Sequence, residues 1–257
     1  MTCQVAEMEK NVNFLSGYTT QFRDPNVLIS HLIPQYPKLL FRPIDVMEKR
    51  IRLLEKCINL NKEEIAKVLR YNPMTILTRL EDTFDDLVKY LKDCGLSDKT
   101  IHTFFTKQPR SITYCWEAIE KRVRFFMDKL GYTRERIIEV FTNNPKVFTA
   151  NVERMRKQSD FIKKDMGLTN QSLIRSPLVL LYSLEQLQWR YYYLCQIGYK
   201  ITDDTHLLDT FYQADELFAK YIAKRPVDEI LAFKDDFYEN LNPVSDDSNI
   251  VGNTVQC

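Results

Sequence analysis

The sequence predicts an all-α fold, an α-solenoid of about five helix–turn–helix–Pro repeats of ~36 residues, and three observations carry that prediction. Glycine is scarce, with 6 in 257 residues, about a third of the usual ~7%. Prolines recur on a beat: Pro37, Pro73, Pro109, Pro145 and Pro177 lie 36, 36, 36 and 32 residues apart. Glycines keep it too, with Gly95, Gly131, Gly167 and Gly198 at intervals of 36, 36 and 31. Asn59 fills the preceding slot and Gly17 reads as an earlier, partial copy, so five of the six glycines are expected to share one structural position.

Each feature of the repeat has a physical reading. Residues 117–130 (EAIEKRVRFFMDKL) show 3.6-residue amphipathicity and read as a first helix. The Gly or Asn after its last turn is the expected left-handed cap. Ser97, Thr133 and Thr169 follow two residues after a glycine and suit the N-cap of a second helix. Asp98 and Glu135 then fall near the positive end of that helix's dipole. Proline stops the second helix, because it lacks an N–H and disfavours helical geometry in the residue before it. A short helical turn after the proline completes the repeat. Apolar positions recur in step: Ile65, Ile101, Ile137 and Leu173; Leu69, Phe105 and Phe141; Leu40, Ile76, Ile112, Phe148 and Leu180; Leu54, Tyr90, Phe126, Ile162 and Tyr193. Stacked neighbours bury what no single repeat can.

Along the chain, residues 1–33 read as a partial N-terminal repeat and 34–200 as the repeat array. Residues 201–240 are expected to form capping helices, with ELFAKYIAK (216–224) closing the last repeat, and 241–257 a disordered acidic tail.

The net charge of +1 conceals a segregation. Residues 226–257 carry one Lys and seven acids, whereas residues 34–200 carry 30 Lys and Arg against 20 Asp and Glu. A basic body with an acidic tail points toward a nucleic-acid partner. The six cysteines are scattered with no CxxC pair, which excludes a clustered zinc site and a disulfide scaffold, and free, mostly buried thiols are expected. His31, His102 and His206 read as structural or surface residues. No run approaches the ~18–20 apolar residues of a membrane helix. Phosphate-loop, dinucleotide, nucleophile-elbow and zincin motifs are absent, so no catalytic, metal or cofactor site is expected and the chain is not read as an enzyme.

The repeat ΦxxxGΦ(S/T)xxxΦxxΦΦxxxPxΦΦ resembles the mitochondrial transcription termination factor (mTERF) family. Its copies are NLNKEEIAKVLRYNPMTI (59–76), GLSDKTIHTFFTKQPRSI (95–112), GYTRERIIEVFTNNPKVF (131–148) and the shortened GLTNQSLIRSPLVL (167–180). The resemblance covers roughly residues 9–225. It implies a superhelix whose basic face wraps duplex nucleic acid, a location in the mitochondrial matrix, and work in transcription termination, its regulation, or ribosomal RNA biology. It also implies that the residue after each motif proline faces the nucleic acid. Those residues are Lys38, Met74, Arg110, Lys146 and Leu178. Met74 and Leu178 depart from the basic pattern, and an apolar side chain there would wedge or stack against a base. Arg42, Arg79, Arg122, Arg154 and Arg156 lie further along the same edge. Tyr191, Tyr192 and Tyr193 with Trp189 read as packing between repeats.

The first expectation is therefore a monomeric protein that clamps mitochondrial double-stranded DNA and blocks the polymerase. Two rivals are a ribosomal-RNA-binding factor acting with a protein partner and an α-solenoid that grips a peptide or protein. The first residues, MTCQVAEMEKNVNF, contain Glu7 and Glu9 and no Arg, unlike a transit peptide. Either Met1 is an internal start or the protein lacks self-evident targeting, and upstream repeats are expected because family members commonly have more.

Overall fold

The computed structural model describes residues 2–18 and 25–241, and all their regular structure is helical. The chain forms two compact units, Met1–Met155 and Arg156–Cys257. In the first, helices α1 (Thr2–Ser16) and α2 (Pro25–Gln35) precede a 3-10 turn at Pro37–Phe41. Helices α3 (Ile44–Ile58) and α4 (Lys62–Tyr71) precede a single α-turn, α5 (Met74–Leu77). Helices α6 (Phe84–Asp93) and α7 (Asp98–Lys107) precede a 3-10 turn at Pro109–Thr113. Helix α8 (Trp116–Arg124) and helix α9 (Arg134–Asn143) precede the turn at Pro145–Thr149. Helix α10 (Val152–Lys164) and the six-residue α11 (Asn170–Arg175) lead to the turn at Pro177–Leu181. Helices α12 (Leu184–Gln196), α13 (Leu207–Phe211), α14 (Asp215–Leu217) and α15 (Val227–Leu241) follow.

Local chemistry explains the repeat. Gly95, Gly131, Gly167 and Gly198 and the non-glycine Asn59 all adopt positive φ, from 54° to 91°. The residue after each glycine reaches back to close the helix end, as in Leu96 N–H to Leu91 O at 3.2 Å and Tyr132 N–H to Phe126 O at 3.0 Å. Ser97, Thr133 and Thr169 accept the expected cap bonds from Thr100, Arg136 and Gln171. Asn61 adds a cap not anticipated from sequence, forming a reciprocal capping box with Glu64. The residues before the five prolines share one non-helical geometry, with φ between −149° and −129° and ψ between 51° and 73°.

Two expectations need correction. Gly17 lies outside the positive-φ set: Tyr18 N–H bonds Leu15 O, only three residues back, so the chain turns without a left-handed cap. Four glycines, not five, share the position. The described thiols are not buried. Cys57 and Cys94 are half-buried and Cys115 and Cys195 exposed, because all four sit at or next to helix ends. The helix expected over 117–130 forms, with a π-turn at Phe125–Lys129 inside it, and another π-turn follows α14 at Phe218–Ala223. The acidic C-terminal stretch is helical through Leu241, and the rest of the expected tail lies outside the described residues.

The recurring apolar sets are the core, apart from Leu40 and Tyr90, which are partly exposed. In the first unit Phe141 stacks on Phe148 at 3.6 Å and meets Phe104 edge-on at 5.3 Å. Polar side chains on the first helices add a second register: Arg50, Asp86, Arg122, Gln158 and Arg190 follow the proline intervals of 36, 36, 36 and 32. Four of them donate to a carbonyl of the next turn region: Arg50 to Ile76 O (2.8 Å), Arg122 to Ala150 O (2.8 Å), Gln158 to Val179 O (3.4 Å) and Arg190 to Phe211 O (2.9 Å). Asn11 on α1 does the same for Leu39, Leu40 and Arg42.

In the second unit a loop carboxylate braces the short α11. Asp203 accepts from Ser172 Oγ (2.6 Å), Thr169 N–H (2.8 Å) and Thr169 Oγ1 (2.9 Å). The Ser172 bond is the largest influence on its carboxyl and, with those from Thr169, outweighs desolvation and holds it below the ordinary Asp value.

Two predictions follow from this geometry. Alanine at Gly95 or Gly198 meets left-handed strain of about 1–2 kcal/mol. Only at Gly95 does the added Cβ also press on Ile138 Cδ1, at 3.2 Å, whereas nothing lies within 4 Å at Gly198. Gly95→Ala should lower the urea midpoint more than Gly198→Ala. For Asp203 the folded pKa is depressed, so its contribution is present above the unfolded value of about 3.9 and is lost as pH falls through the folded value. Thermal melts between neutral pH and about pH 3 should therefore fall less steeply in Asp203→Asn, and identical slopes would refute the brace.

Candidate nucleic-acid interface

The proline turn decides which side chains face outward. In the turns at Pro109, Pro145 and Pro177, the proline and the second and third residues after it are buried. Lys38, Arg110 and Lys146, each immediately after a proline, are exposed. Met74 is 39% exposed, while Leu178 is partly buried.

Two grooves form in the first unit, each between successive turns. The first, about 560 Å³, is lined by Lys38, Phe41, Arg42, Met74 and Leu77 among others. The second, about 530 Å³, is lined by Lys67, Tyr71, Lys107, Arg110, Tyr114 and Lys146, with Thr106, Gln108, Pro109 and Thr149. Neither has an Asp or Glu in its lining. Among the described residues, Lys38, Lys67, Lys107, Arg110 and Lys146 form no ion pair. Cations held together without carboxylates make a positive patch suited to phosphates.

The nine sequence-selected residues differ in where they stand, and Arg42 both lines a groove and bonds the fold. Lys38, Arg42 and Met74 share the first groove, and Arg110 and Lys146 the second. Arg79, Arg154 and Arg156 are exposed but line neither groove. Arg42 and Arg122 are engaged in the fold. Arg42 Nη2 donates to Leu77 O. Arg122 donates to Ala150 O and Ala118 O and lies 5.4 Å over the Tyr114 ring. Arg122 looks like a contact residue by sequence tract, yet its register with Arg50 and Arg190 marks it as a turn brace.

Sequence reasoning missed Lys67 and Lys107. They occupy different positions of their repeats, on α4 and α7, so no period announces them. Only the side-by-side packing of those helices brings them to one groove.

Trp189 and Tyr193 are buried in the second unit against Phe218 and α15, and Tyr193 Oη donates to Glu229 at 2.8 Å. Tyr192 remains 43% exposed. Among the described residues no cluster of three His, Cys, Asp or Glu is placed to hold a metal ion, and no described helix is long and apolar enough to cross a membrane.

The model of the mTERF family matches residues 1–140 and 116–219 of the chain. No curated protein matches it.

The two kinds of arginine should separate in stability measurements. Arg122→Ala orphans a carbonyl and should cost about 1–3 kcal/mol by urea unfolding. Arg110→Ala, at an exposed site, should stay within about 0.5 kcal/mol of the parent. Equal losses would mean that Arg110 also braces the fold.

Proposed function

The chain belongs to the mTERF family, and from that premise we propose that it binds double-stranded nucleic acid through the proline-turn edge of its first compact unit. The observation that carries this reading is the pair of cation-lined grooves between successive proline turns, free of lining carboxylates. The proposed ligand is mitochondrial duplex DNA. The proposed action is termination or modulation of transcription by a monomer that clamps the duplex in the matrix and stalls the polymerase.

The physical mechanism is counterion release. Each Lys or Arg that neutralises a phosphate frees condensed cations, which adds about 0.9 to the slope of log affinity against log salt on duplex DNA. Lys38, Arg110 and Lys146 are presented by rigid turns, so little side-chain order is added on binding beyond their own rotamers. Phosphate contacts hold and orient; they do not read sequence. Met74, which lines the first groove, is proposed to touch a base step.

The test is a salt series with purified protein on random duplex, mitochondrial duplex and structured ribosomal RNA. Arg110→Ala and Lys146→Ala should each reduce the salt slope by about 1 on the favoured ligand. Preference for RNA would move the protein to ribosome biology. Failure to bind any of the three at ~50 mM salt, where 6–10 phosphate contacts are strong, would overturn the nucleic-acid reading and leave a protein-binding scaffold.

A further inference from the structure

We infer that the groove between the Pro109 and Pro145 turns is a discrete polyphosphate site, which grips successive phosphates of one nucleic-acid strand; this rests on the nucleic-acid reading above. Four cations from three consecutive repeats converge there: Lys67 from α4, Lys107 from α7, Arg110 and Lys146 from the two turns. No acid lines the groove and none of the four is ion-paired among the described residues. Like charges crowded in this way repel one another, and a polyanion relieves that repulsion.

Neutral donors complete the groove. Gln108 and Thr149 line the groove beside the cations; the Thr149 hydroxyl donates to Lys146 O at 2.9 Å with Gln108 Oε1 3.3 Å away, and the Gln108 amide can supply N–H donors to an anion. The flanking turns do not match this density. The first groove offers Lys38 beside Arg42, whose guanidinium is committed to Leu77 O, and Met74 replaces a cation on its second turn. Leu178 replaces the cation on the fifth turn. The charge is thus concentrated at one joint rather than spread evenly along the proline-turn edge.

The test uses Lys67→Gln/Lys107→Gln, two residues that no repeat register selects, against the control Lys89→Gln/Lys99→Gln, whose side chains are exposed and outside the groove. Circular dichroism melts check that both remain folded. Labelled random duplex is titrated across salt by fluorescence anisotropy, then displaced with tripolyphosphate or orthophosphate at constant ionic strength. The groove variant should lose about tenfold or more in affinity and about 2 in salt slope, while the control matches the parent. Tripolyphosphate should displace duplex from the parent at lower concentration than orthophosphate. Parent-like binding by the groove variant, with the parent binding duplex normally, would overturn this site and leave the nucleic-acid reading standing. A parent that binds neither duplex nor RNA nor tripolyphosphate would overturn both. A parent that takes up tripolyphosphate but neither nucleic acid would overturn the strand assignment in favour of a free oligophosphate.

Discussion

At successive joints of the repeat array a side chain from one helix reaches across to a backbone carbonyl of the next turn region, and the stacking depends on that bond. Buried carbonyls without partners are costly. Arg50, Arg122 and Gln158 reach carbonyls in or just after a proline turn, Arg190 at the same register reaches Phe211 O at the end of α13, and Asn11 serves the Pro37 turn at the start of the chain. Gln158 shows that the requirement is a long donor rather than a charge. The register is broken once, at Asp86, which cannot donate. There Asn72, the residue before the previous proline, donates to Pro109 O at 3.0 Å instead. The joint keeps its bond by drawing on a different helix end.

Where the donor is charged and deeply buried, the surroundings compensate. Arg190 is 1% exposed, bonds Asp215 Oδ1 at 2.5 Å, and lies against Trp189 and Phe218. Lys234 on α15 closes the same carboxylate from the other side at 2.7 Å. Partial burial pushes the Asp215 carboxyl up, yet its bonds to Lys234 and Arg190 outweigh that and hold it below the ordinary value. The otherwise acidic α15 is thereby tied to α14 by the one lysine it carries, and to α12 by the Tyr193–Glu229 bond.

The turns also decide which side chains face outward. Because the proline and the second and third residues after it pack inward, the residue immediately after the proline is held outward. A cation there stands on a fixed platform, and two platforms side by side make a groove. Arginine consequently has two roles in this fold. Arg110 stands free on a turn, whereas Arg122, only twelve positions on, is spent on Ala150 O.

The sequence by itself determined the repeat, its caps and its breaks, because those depend on chemistry within a few residues. Positive φ at Gly95 or Gly131, hydroxyl caps at Ser97 and Thr133, and helix termination at Pro109 follow from local sterics and hydrogen bonding. The arginine register was also in the sequence, on the proline beat, and its meaning became visible only beside the carbonyls it serves. Gly17 shows the limit of the local signal: the same residue in a similar context closes a different turn, since Tyr18 bonds three residues back. The tertiary structure alone decided which cations share a groove. Lys67 and Lys107 stand 40 residues apart at unrelated repeat positions, and they meet because helix packing converts separation along the chain into adjacency across neighbouring repeats. Periodicity records which face of a helix is buried; it does not record which exposed side chains from different helices converge.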